Sequence, residues 1–110
     1  MNLTEGTHLV HLARQRQFAK HGYDAEHDAE HDDSELVTAG ICYAMEAIQP
    51  GEGNGLWPWQ PDEWHPDPDP LDNLVKAAAL MVAEIDAILL RRGQIAEAYR
   101  ANLRKHGDAS

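Results

Sequence analysis

A chain of 110 residues, 43% hydrophobic and 25% charged, has the size and balance of a single globular domain with a small core. Its formal net charge of −10 is wrong for a general grip on nucleic acid, which needs a basic stripe, and suits a metal, a basic partner or simple solubility. No run approaches the roughly 18 apolar residues of a membrane span, no basic-then-apolar leader opens the chain, and the lone Cys42 cannot close an internal disulfide. The expected setting is therefore cytoplasmic.

The spacing predicts a first helix over 7–21, with Thr7 as its cap and Gly22 after its last turn. Residues 22–32 follow as an acidic, histidine-rich loop in which AEHD occurs twice in tandem. Asp32 and Glu35 have the spacing of a capping box, opening a second helix over 33–49. Its apolar positions are Leu36, Val37, Ile41, Ala44 and Ile48, and Pro50 and Gly51 close it.

Residues 50–70 hold all three tryptophans and all six prolines, so this stretch is neither α-helix nor central strand. Three indoles, each with about 150–250 Å² to bury, imply an ordered loop that packs on a core, lines a pocket, or does both. Asp69-Pro70-Leu71-Asp72 then reads as cap, first-turn proline and first-turn acid of a third helix over 71–92. Leu74, Met81, Val82 and Ile85 lie on its apolar stripe and are its expected core, and Gly93 separates it from a more polar fourth helix over 94–105. No strand pattern occurs, and the expected fold is all-α: three core helices and a C-terminal helix, with the Trp/Pro loop across one end.

Three constellations could carry chemistry. His27, His31 and Glu35 recur every four residues, and on a helix would present imidazole and carboxylate ligands for Zn2+. The surrounding aspartates would favour Mg2+ or Mn2+, and the plainer reading is a solvated acidic loop. Carboxylates on neighbouring helices (Glu35 and Glu46; Asp72, Glu84 and Asp86, with Lys76 among them) could converge on divalent ions, or could form only local ion pairs. In the loop, Trp57, Trp59 and Trp64 could stack on a nucleobase while His65 or an arginine of the first helix, Arg14, meets its phosphate, or could form only a lid.

The ordered elements RQRQ (14–17), GYDAEHD (22–28), DDSELVTAGICYA (32–44), WPW (57–59), WHP (64–66) and DNLVKAAALMVAEID (72–86) resemble a family of small proteins encoded by bacteriophages and prophages. The likeness spans about residues 14–90, with Tyr23 where a tryptophan is common. It implies a phage-type accessory protein acting in the host cytoplasm.

The helical order is more weakly similar to the all-α nucleotide pyrophosphohydrolases of the MazG type, which bind magnesium through E-x-x-E and E-x-x-D elements on successive helices. Here Glu35 is followed at the third position by Thr38, and Asp72 by Val75 and Lys76, a lysine that, beside the metal position the likeness implies, could grip phosphate directly. The expected function is binding of a host protein or a nucleotide-like ligand to counteract a bacterial defence, by a chain expected to form a homo-oligomer. The alternative is metal-dependent hydrolysis of nucleoside triphosphates.

Overall fold

The computed structural model describes residues 4–21 and 35–106, which form three α-helices and two short 3-10 turns, with no strand among them. Helix α1 spans Glu5–His21, α2 spans Glu35–Ile48 and α3 spans Pro70–His106. The turns Gly53–Leu56 and Pro61–Glu63 lie in the connection between α2 and α3. The all-α bundle expected from the sequence is the fold observed. No helix among the described residues is long and apolar enough to cross a membrane.

The caps show why the helices start and stop where they do. Thr4, not Thr7, caps α1: its Oγ1 accepts the Thr7 N–H at 3.2 Å, one of the donors that a first turn leaves without an intrahelical partner. At the end of α2 the chain reverses through Gly51, whose φ of +90° suits a residue without a Cβ. The cap expected for α3 is present, with Asp69 Oδ1 accepting the Leu71 N–H at 3.0 Å ahead of Pro70. The break expected at Gly93 is absent, and α3 runs on for 37 residues. A single mid-helix glycine costs only about 1 kcal/mol relative to alanine, and Arg91, Arg92, Gln94 and Ala96 around it are good helix formers.

Helix α3 is the spine of the molecule. The α1 residues Leu9, Val10 and Ala13 pack on Val75 and Ala79 of α3. On its other flank lies α2, where Leu36, Ala39 and Tyr43 meet Ala77, Leu80 and Ala83. Gly40 sits so close to α3 that an added Cβ would lie 3.1 Å from the Ala77 carbonyl.

The face of α3 used for packing is the reverse of the one its periodicity suggests. Ala77, Ala79, Ala83 and Ala87 are buried, whereas Leu74, Met81 and Ile85, three of the expected core residues, are exposed, Ile85 by 54%. On α2, Leu36 is buried as expected, but Ile41 and Ile48 face outward, Ile48 with 71% of its surface exposed. Alanine lets backbones approach closely, and the missing volume comes from Trp57, Trp59 and Trp64, which pack against the α2–α3 core.

Candidate functional site

The Trp/Pro connection is tied down at both ends. Near its start, the Glu46 carboxylate on α2 accepts the Gly51 N–H at 2.8 Å and the Gly53 N–H at 3.0 Å. At its end, Asp67 and the buried Asn73 exchange two hydrogen bonds: the Asp67 N–H donates to Asn73 Oδ1 at 2.7 Å, and Asn73 Nδ2 donates to the Asp67 carbonyl at 2.8 Å. Between these clamps the His65 backbone is held by α2 and α3. Its N–H donates to the Tyr43 hydroxyl at 3.3 Å and its carbonyl accepts from Lys76 Nζ at 2.8 Å.

The aromatic residues form one cluster around Trp57. Its ring centroid lies 4.9 Å from that of Trp64, 5.3 Å from Trp59 and 5.6 Å from Tyr43, the last two contacts edge-to-face. Trp64 stacks at a tilt on Tyr43, 4.6 Å away. Such pairs stabilise by about 0.5–1.5 kcal/mol beyond the area they bury. The indole N–H groups of Trp57 and Trp59 are satisfied as well, by the Gln60 carbonyl at 2.9 Å and Glu35 Oε2 at 3.0 Å.

This cluster forms one side of a cleft of about 500 Å³. Helix α1 contributes Ala13, Arg16 and Gln17; α2 contributes Tyr43; the loop contributes Trp57, Trp59, Glu63 and His65; and α3 contributes Lys76 and Leu80. The volume falls in the range of small-ligand sites. Lys76 Nζ sits 5.4 Å from the Tyr43 ring centre. Neither Lys76 nor Arg16 has a carboxylate partner among the described residues.

Four of the residues expected at a ligand site, Trp57, Trp59, His65 and Lys76, are brought together in this cleft. Trp64 is not on its lining, and stacks behind Trp57 and Tyr43. Arg14 is also not on the lining. Its side chain is 7% exposed and donates to Asp86 Oδ2 at 3.3 Å and Gln17 Oε1 at 3.1 Å. The α1 arginine on the lining is Arg16, because positions 16 and 17 follow the buried Ala13 at i+3 and i+4, on its face of the helix. Tyr43, which sequence reasoning passed over, was detectable as the residue seven after Leu36 and four after Ala39.

Of the proposed metal ligands, His27 and His31 lie outside the described residues. Glu35 receives the Trp59 indole N–H. The carboxylates expected to converge between helices are dispersed: Glu46 clamps the loop, Glu84 pairs with Arg91 at 2.9 Å, Asp86 pairs with Arg14, and Asp72 is exposed at the start of α3. Lys76 turns to the His65 carbonyl instead of pairing with Asp72. Among the described residues no three His, Cys, Asp or Glu side chains gather as a metal site. The buried Cys42 thiol has its pKa pushed up by loss of water, partly offset by a backbone hydrogen bond at Leu56, which disfavours the reactive thiolate.

Fold and cleft together define a small α-helical bundle whose aromatic connection walls a cation-bearing cleft. Comparison with protein-family models, curated proteins and solved structures finds no match to this chain.

Proposed function

We propose that the protein acts by binding a nucleotide-like ligand, with a planar ring and a phosphate group, in the cleft between α1, α3 and the Trp loop. The observation that carries this reading is the meeting of Trp57, Trp59 and Tyr43 with Arg16 and Lys76 in one cleft of a strongly acidic chain. Among the described residues neither Arg16 nor Lys76 has a carboxylate partner, which leaves their charge available to an anion in the cleft. Stacking of a base on an aromatic side chain contributes about 1–3 kcal/mol, and Lys76 retains ammonium donors beyond the one used on His65. The resemblance to phage and prophage proteins extends the proposal: capture of a nucleotide would withdraw it from a bacterial defence.

The test is titration of tryptophan fluorescence with nucleosides, nucleoside mono-, di- and triphosphates, and inorganic phosphate. Nucleotides should change the emission, nucleosides and phosphate alone should bind at least about tenfold more weakly, and Lys76→Ala and Arg16→Ala should each weaken nucleotide binding, the exposed Arg16 while leaving the melting temperature within about 3 °C of wild type. Binding that is indifferent to Lys76, or no nucleotide response at millimolar concentration, would refute the reading. A parallel incubation of triphosphates with Mg2+ or Mn2+ separates binding from turnover. Release of pyrophosphate would replace capture with the hydrolase reading.

A further inference from the structure

One face of α3 carries an apolar stripe that nothing in the described chain covers. Leu74, Ala78, Met81, Ile85, Ile88, Ile95 and Tyr99 fall on one line of alternating steps of four and three, interrupted only by Arg92, the spacing of a seam between two helices. Leu74, Met81, Ile85, Leu89, Tyr99 and Leu103 on or beside this line are all exposed. The stripe widens onto α2, where Ile41, Met45 and Ile48 face outward and Met81 lies across Gly40. Together these side chains expose an apolar area of the same order as the roughly 800 Å² each partner buries in a standard interface. Residues 22–34 cannot supply the cover by composition, since after Tyr23 they hold no apolar side chain larger than alanine.

Two further facts say what does. Helix α3 is about 55 Å long at 1.5 Å per residue, and none of residues 88–105 on it is buried, so its last four turns extend past the bundle. An isolated helix of that length is marginal in water. The charge also divides at the same place. Residues 1–90 hold 17 Asp and Glu against four Lys and Arg, whereas residues 91–106 hold Arg91, Arg92, Arg100, Arg104 and Lys105 against Glu97 alone.

We infer that the partner is a second copy of this chain, paired antiparallel through α3, so that the basic end of each helix lies along the apolar stripe of the other copy's acidic body. A register that overlays the two stripes end to end brings Arg100 and Arg104 of one copy near the Asp69–Asp72 turn of the other. A parallel pair would set the basic ends side by side. The two-fold arrangement is closed and self-complementary, buries the exposed aliphatics of both helices, and gives the overhanging turns a surface to pack on.

Light scattering on the eluting protein at micromolar concentration should give twice the chain mass of 12.3 kDa. Ile85→Glu with Leu89→Glu should give the single-chain mass with the near-ultraviolet signal of the aromatic cluster retained. Ile95→Glu with Tyr99→Glu, beyond the bundle and free of its packing, should do the same if the first variant fails to fold. Arg100→Glu with Arg104→Glu should weaken association at least tenfold. In a Cys42→Ala background, a mixture of Leu71→Cys and Leu103→Cys chains should cross-link on oxidation, while Leu103→Cys alone should not. A single-chain mass for wild type at 100 μM, retention of the dimer by both stripe variants, or cross-linking of Leu103→Cys alone would overturn the proposal.

Discussion

Replacing Gly53 by alanine tests how the aromatic connection is held. Gly53 is buried beneath α2, and a Cβ at this position would lie 2.5 Å from the Cys42 carbonyl oxygen, 2.7 Å from Glu46 Cβ and 2.9 Å from Glu46 Oε1. Two of these three atoms belong to the clamp itself, and the carbonyl is helix backbone that cannot swing aside. The loop must therefore lift, which breaks the 3.0 Å bond from the Gly53 N–H to Glu46 and disturbs the 2.8 Å bond from Gly51. Overpacking of this kind costs about 1–3 kcal/mol, and loss of one hydrogen bond to a charged group about 1.5–3 kcal/mol. With partial relief as the loop moves, the expected total is about 3 kcal/mol, a drop in melting temperature of roughly 10–20 °C for a domain of this size. Thermal melts followed by far-ultraviolet dichroism and by tryptophan emission measure it, with Gly55→Ala as the control because no atom lies within 4 Å of its added Cβ. A Gly53→Ala melt within about 3 °C of wild type would show that the loop does not depend on the Glu46 clamp.

Asp86→Ala should cost about 1–2 kcal/mol by urea unfolding, less than the roughly 3–5 kcal/mol of a fully buried pair, because Asp86 is 37% exposed although the Arg14 it serves is 7% exposed. Ala83→Leu should destabilise by about 1–3 kcal/mol, since Ala83 is fully buried, whereas Ile85→Ala, two residues on, should leave the unfolding of the single chain within about 1 kcal/mol of wild type. Cys42 should react with a thiol reagent at pH 8 at least about 100-fold more slowly in native than in denatured protein, and equal rates would refute its burial. Because folding raises the Cys42 pKa, the native state keeps a proton that the unfolded chain releases. This contribution to stability is complete below the unfolded thiol pKa of about 8.5 and is lost as pH rises above it.

The positions of the first two helices, the start of α3 and the connection were legible because their signals are local, whereas Gly93 was misleading because a single glycine does not stop a helix. Proline chemistry decides 50–70, and the aspartate before Pro70 marks the start of α3 whatever packs against it. The face of α3 was not legible, because periodicity reports only that an apolar stripe exists, and the eye assigns the largest side chains to the core. Here two opposite faces are apolar, one of alanine and one of leucine, isoleucine and methionine, and only the position of α1 and α2 tells which is inside. The cleft was half legible. Trp57, Trp59, His65 and Lys76 could be grouped because rare aromatics and a nearby cation suggest a ligand. Arg14 was exchanged for Arg16 because two residues along a helix turn a side chain through some 200°, and the imperfect stripe of α1 does not fix its phase.

The alanine face of α3 reverses the usual rule for which positions tolerate change. In most small domains the large aliphatic residues are the intolerant ones and alanines are neutral filler. Here Ala77 and Ala83 pack in the cluster that carries Tyr43 and the tryptophans, Ala79 packs with Ala13 of α1, and Ala87 is fully buried, so nearly any mutation available to them adds atoms where there is little room. The bulky residues opposite them can be exchanged without disturbing the bundle of one chain. A survey of random variants scored for the folding of one chain alone would therefore find α3 marked by a ladder of invariant alanines.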